Sequence, residues 1–149
     1  MNCFDHEDTV LIEPRMTGEE FTILVLENPD KKPVALLPTQ IGLQTDTFFD
    51  YRKKYLASTD TAYHTPPLRS DDITEKIRQE AERAFSILDM KDVVRIDGWI
   101  LDDGTLRFSD INAICGMEQN SFLFQQTSLL GRTHQQTLEY IMHKSFSPS

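Results

Sequence analysis

Cysteine is nearly absent from this chain. Cys3 and Cys115 are the only two in 149 residues, too few for a disulfide framework and without the paired spacing of a zinc site. A reducing, cytoplasmic setting is the simplest expectation. Glycine is scarce, six in all, and no group of them forms the cradle that a phosphate-binding loop requires. Basic residues number 15 against 24 acidic ones, for a net charge of −9. That balance argues against a nucleic-acid or anionic-membrane partner, since both need clustered Lys and Arg. No apolar run approaches membrane-spanning length, and the amino end lacks the pattern of a signal peptide. His6, His64, His134 and His143 have no metal-ligand spacing.

What is present fits one globular domain with a real core: 39% apolar and 26% charged residues over an ordinary domain length. Thr9 to Glu13 and Glu20 to Leu26 read as strands separated by a turn at Thr17-Gly18, and Val34 to Leu37 reads as a third. Thr39 to Leu68 has no sustained periodicity and reads as a long loop. Ser70 is placed to cap a helix running to about Asp89, with Asp71 and Asp72 in its first turn. Ile73, Ile77, Ala81, Ala84, Phe85 and Leu88 form its apolar face, while Glu75, Arg78, Gln79, Glu82 and Arg83 point elsewhere. Glu118 to Leu130 reads as a loop entering a helix that Gly131 stops, and Thr133 with Gln136 forms a capping box for a last helix. These elements predict an α+β fold with a mainly antiparallel sheet: residues 9–146 form one domain, 1–8 a disordered amino-terminal segment and 147–149 a tail.

The densest chemistry lies in one hairpin. Val93 to Leu101 and Leu106 to Ile111 are strand-like, and Asp103-Gly104 between them suits a two-residue type I′ turn. In that register Asp97 faces Asp110 and Arg95 faces Asn112. All four share a face with Val93, Trp99, Leu101, Leu106 and Phe108, because side chains alternate along a strand. Opposed carboxylates about 5 Å apart repel by roughly 3 kcal/mol at an effective dielectric near 20. Arg95, diagonal to Asp110, offsets part of that cost. Two carboxylates with an amide oxygen also suit a hard cation such as Mg²⁺. Spacing alone leaves both a metal site and an Arg/Asp salt-bridge cluster open.

Taken in order with Glu20-Phe21-Thr22, Phe48-Phe49-Asp50-Tyr51, Lys54-Tyr55 and Gly116-Met117, this hairpin resembles the carboxyl-terminal part of the D-alanine-D-alanine ligase family, from about Val10 to Met142. The resemblance implies an ATP-grasp carboxyl-terminal subdomain with ATP and Mg²⁺ as cofactors. It implies that Glu13, Pro14, Arg15 and Met16 run along the adenine, with the Pro14 carbonyl and the Met16 N–H reading its edge. Glu20 would accept from the ribose hydroxyls, and Phe48 would lie near the nucleotide. Lys54 and Tyr55 match a lysine and tyrosine of the ligase loop, where Lys54 would neutralise charge developing on phosphate. Arg95 would hold the acyl-phosphate or tetrahedral intermediate, and Asp97, Asp110 and Asn112 the metal ions. Gly116, Ser121 and Phe122 match the site of the second amino acid.

Two departures stand out. Asp110 occupies a position where most of these ligases have Glu, and Cys115 replaces the Pro before Gly116. A buried small hydrophobe is the simpler reading of Cys115, with no histidine near it in sequence. The resemblance implies an ATP-dependent carboxylate-amine ligase fragment, forming a peptide bond through an acyl phosphate in peptidoglycan precursor synthesis. It would be incomplete alone, lacking an amino-terminal domain and a glycine-rich phosphate loop. The alternative is a non-catalytic module that binds a nucleotide, a metal or another protein.

Overall fold

The computed structural model describes residues 9–10, 12–43, 61–64 and 70–145. The proposed end segments 1–8 and 147–149 lie outside them. β1 (Gly18–Glu27) is the axis of the fold. One edge of β1 pairs with β5 (Val93–Leu101) from Gly18 opposite Leu101 to Leu26 opposite Val93. Its other edge is shared by β3 (Thr39–Leu43), opposite Glu20 to Thr22, and β2 (Pro33–Ala35), opposite Val25 to Glu27. β4 (Thr61–His64) flanks β3, and β6 (Leu106–Asn112) flanks β5. Among the described residues the strands form a six-stranded sheet in which every pairing is antiparallel.

Period-two alternation sorts the core onto two faces. Phe21, Ile23, Val25, Val94, Ile96 and Ile100 point to one side and pack under Ile77, Ala81 and Phe85 of α1 (Asp71–Ile87). Leu24, Leu26 and Val93 point to the other and meet Leu123 and Phe124 of α2 (Phe122–Ser128), with Tyr140 and Ile141 of α3 (His134–Ser145) behind. Two such faces explain why β1 reads as a continuous buried run rather than an alternating one.

Helix α1 forms as its apolar stripe predicts, but Arg78 and Glu82 do not point away from the sheet. Glu82 Oε1 accepts the Ala35 N–H at 2.9 Å and Arg78 Nε donates to the Ala35 carbonyl at 3.1 Å. One turn apart on the helix, the two side chains satisfy the backbone of a very short strand. Ser70 takes the N-cap position with extended backbone but makes no side-chain cap bond. Leu88 is exposed beyond the helix end. There Met90 N–H bonds Phe85 O and Asp89 N–H bonds Ser86 O, a Schellman closure with Asp89 at φ 49°. The capping box forms as read: Thr133 Oγ1 accepts from Gln136 N–H and Gln136 Oε1 accepts from Thr133 N–H. Gly131, at φ 73°, follows α2.

Three expectations need correction. Residues 9–10 and 12–13 are not strand, and Gly18 begins β1 instead of turning before it. The presumed loop from Thr39 to Leu68 contains β3 and β4. β3 is short and only weakly β-forming, and it exists because the edge of β1 recruits it.

Candidate functional site

β5 turns Arg95 and Asp97 toward the α2 side of the sheet, and β1 and β6 flank them on either edge. Three strands thereby lay down two adjacent cross-strand rows. Thr22, Asp97 and Asp110 form one; Leu24, Arg95 and Asn112 form the other. The expected opposition of Asp97 to Asp110 and of Arg95 to Asn112 is present.

The route to that register differs from the expected one. The loop has three residues, Asp102 to Gly104, because Leu101 pairs with Thr105 (N–H to O, 2.9 Å) and Gly104 sits at φ 78°. Alone, this would slip Asp110 out of line. A bulge restores it: Gly98 pairs with Phe108 and Asp97 with Asp110, which leaves Ser109 as the extra residue. The bulge also reverses the faces of β6, so Leu106 and Phe108 pack on the α1 side and do not share the face of Asp110 and Asn112. Gly98 is required at this crossing, since a Cβ there would stand 2.7 Å from both the Arg107 carbonyl oxygen and Phe21 Cζ.

Asp97 is 2% exposed. Its Oδ1 accepts the Thr22 hydroxyl at 2.7 Å and its Oδ2 accepts Arg95 Nη2 at 3.0 Å. Arg95 therefore pairs along its own strand with Asp97. Its side chain is 14% exposed and its Nε is a buried donor with no partner. Asp110 and Asn112 are half-buried, and Asn112 Nδ2 donates to Asp110 Oδ2 at 3.0 Å. Among the described residues no three His, Cys, Asp or Glu side chains converge on a metal position. The cluster offers two carboxylates and one amide oxygen, the sparse set that Mg²⁺ accepts when water or phosphate oxygens complete its shell. The donors fit such a cation, and the orphaned Arg95 Nε suits an anionic oxygen beside it.

Glu20 lies one pleat along β1 from Thr22, opposite Trp99, and is 8% exposed. Glu13, Pro14 and Arg15 are exposed and Met16 half-buried, in irregular backbone before β1. Phe48, Lys54 and Tyr55 lie outside the described residues. Cys115 is buried with Val93, Leu123 and Phe124. Burial pushes its thiol pKa up, and the Arg95 charge opposes that rise. A Cβ on Gly116 would come 2.6 Å from Glu118 Oε2. Ser121 occupies the N-cap position of α2 without a side-chain cap bond, and its buried Oγ has no partner. Phe122 packs half-buried against the cluster around Leu123 and Phe124.

Sequence reasoning assigned no role to two residues that brace this region. One is Thr22, fully buried beside Asp97. The other is Gln126 of α2, which bonds Leu24 N–H, the Thr22 carbonyl and Thr39 Oγ1. The available signal was a polar residue inside an apolar stretch.

Comparison with known proteins identifies the family and the fold. The family model described as D-ala D-ala ligase C-terminus matches residues 1–143. A D-alanine--D-alanine ligase of Tolumonas auensis is 32% identical over 144 residues, covering 96% of this chain and 43% of that protein. The solved VanG D-Ala:D-Ser ligase of Enterococcus faecalis superposes with a TM-score of 0.69 at 20% identity, over 87% of this chain and 36% of that one. A D-alanine--D-alanine ligase of Bacillus anthracis complexed with ATP gives 0.68 at 20%, over 88% and 39%. These structures share the fold, and the chain spans about two fifths of the length of the curated relatives it matches. With the family model spanning nearly the whole chain, this protein belongs to the D-ala D-ala ligase C-terminus family.

Proposed function

We propose that this chain supplies the metal-binding and nucleotide-facing part of an ATP-dependent ligase that joins a carboxylate to an amine, D-alanine to D-alanine, for peptidoglycan precursors in the cytoplasm. The supporting observation is the Asp97–Asp110 row with Arg95 and Asn112 beside it, two opposed carboxylates on one face. Asp97, Asp110 and Asn112 would hold Mg²⁺, which when bound would supply positive charge to the phosphate oxygens. The first carboxylate attacks the γ-phosphorus and ADP leaves; the amine then attacks the acyl phosphate and inorganic phosphate leaves. Arg95 holds the negative oxygens that form in both steps, its buried Nε being a donor in reserve. Glu20 accepts from the ribose. The Pro14 carbonyl and Met16 N–H read the adenine, with Glu13 and Arg15 alongside and Phe48 near the nucleotide. Lys54 neutralises phosphate from the ligase loop, which also carries Tyr55. The Gly116 N–H, the Ser121 hydroxyl and Phe122 receive the second amino acid, and Ser121 Oγ has no competing partner. The first amino acid and the glycine-rich phosphate loop are assigned to the part of the ligase that the match does not cover, and turnover needs that part as well.

One observation favours a second reading. Both Asp97 oxygens already accept hydrogen bonds, as they would in a purely structural ion pair within a non-catalytic module. Calorimetric titration of the chain with Mg²⁺-ATP, beside Asp97→Ala and Asp110→Ala, separates the two. The ligase reading predicts binding by the wild type that both substitutions abolish. Absence of heat from a folded wild type contradicts it and leaves the structural ion pair.

A further inference from the structure

Asp97, paired in register with Asp110, has its two carboxylate oxygens engaged by two different side chains. A guanidinium prefers to engage both oxygens of a carboxylate in a planar fork, and Arg95 sits two residues from Asp97 on the same strand. Instead Arg95 Nη2 meets Oδ2 while Oδ1 is taken by Thr22 Oγ1 at 2.7 Å. Thr22 is fully buried, on the face of β1 that carries Leu24 and meets α2, where a hydroxyl has no packing advantage over a methyl. Its backbone cannot drift. Thr22 pairs with Asp97 on one side and Thr39 on the other, and its carbonyl accepts Gln126 Nε2 at 3.1 Å.

We propose that Thr22 is a positioning residue, whose hydroxyl holds the Asp97 carboxylate in the orientation that lets the Asp97–Asp110 pair take a divalent cation. The inference rests on the reading of that pair as a cation site. A carboxylate has about four lone-pair sites, so the single bond from Thr22 orients the group without by itself closing it to a cation. Partners of metal-ligating carboxylates typically change metal affinity by about 10- to 100-fold when removed.

The test is Mn²⁺ binding by the full chain, followed through loss of the free-ion electron paramagnetic resonance signal. Thr22→Val keeps the shape and β-branching but removes the donor. Thr22→Ser keeps the donor and loses a methyl. Thr22→Ala is measured at low temperature as a second donor deletion, in case the valine variant does not fold. We expect the wild type to bind, the valine and alanine variants to bind about 10- to 100-fold more weakly, and serine to restore affinity to within about threefold. Wild-type affinity in folded Thr22→Val or Thr22→Ala overturns the role of Thr22 and leaves the cation site standing. Absence of Mn²⁺ binding by the wild type overturns the cation site and the role of Thr22 with it.

Discussion

Gln126 Oε1 accepts the backbone N–H of Leu24 at 3.0 Å, in the gap where β1 leaves β3 and meets β2. A side chain from α2 thus accepts an N–H of an inner strand on the edge between β3 and β2, where neither of those strands pairs with Leu24. Its amide nitrogen adds bonds to the Thr22 carbonyl and Thr39 Oγ1, both at 3.1 Å. Gln126→Met keeps the volume and removes the partners, leaving a buried N–H unsatisfied. At about 1–3 kcal/mol per orphaned group, the variant should lose roughly 3 kcal/mol. Urea unfolding should show a lower midpoint at an unchanged slope. An unchanged midpoint would mean that Gln126 does not support the strand.

Gly98 stands where β5 crosses the bulge of β6, with a carbonyl and an aromatic ring 2.7 Å from any added Cβ. The Arg107 carbonyl is backbone and cannot move aside. Gly98→Ala should therefore cost about 1–3 kcal/mol, read as a fall in unfolding free energy. Because the adjacent residue is Asp97, nucleotide or cation binding should fall with it. A neutral substitution would show that the bulge is soft.

Asp89 closes α1 at φ 49°, a left-handed position that glycine fills without a Cβ penalty. Replacing it loses the ion pair to Lys91, which lies at the surface and contributes little. Asp89→Gly should raise stability by about 0.5–1 kcal/mol, seen as a higher melting temperature. A lower one would show the ion pair to matter more than the backbone.

Cys115 is buried, and burial pushes its thiol pKa above the ordinary value of 9.0. The folded state therefore holds this proton more tightly than the unfolded chain does. The stability this contributes is present below the ordinary thiol pKa and is lost as pH rises through the raised one. In a Cys3→Ser background, alkylation by iodoacetamide should be slow at neutral pH and accelerate only on unfolding or as pH passes the raised thiol pKa. Rapid labelling of the folded protein near pH 7 would instead identify an activated thiolate.

Much of this architecture was legible because the signals were local. Thr133 and Gln136 announce their capping box by spacing alone, and the Ile77, Ala81, Phe85 stripe declares the buried face of α1. The opposition of Asp97 and Asp110 was also legible, though through two departures that cancel: a loop one residue longer than a type I′ turn, and one bulged residue, Ser109. Alternation alone could not reveal the bulge, and so misplaced Leu106 and Phe108. β3 escaped notice because Thr39 to Leu43 becomes a strand through its neighbour β1. Thr22 and Gln126 escaped for the same reason, since their partners lie 75 and 102 residues away in sequence. Long-range polar contacts leave no periodic trace in a sequence.

Whether the Asp97–Asp110 pair is built for a cation is tested most directly by thermal unfolding of the wild type and Asp110→Asn, with and without Mg²⁺. A ligand that binds only the folded state adds about 2.7 kcal/mol at a hundredfold excess over its dissociation constant. The account predicts that Mg²⁺ raises the wild-type melting temperature and leaves Asp110→Asn unmoved. In the absence of Mg²⁺ the variant should be the more stable of the two, because one of two opposed charges is gone. A wild type indifferent to Mg²⁺ would contradict the account and make the cluster an ion pair that serves the fold alone.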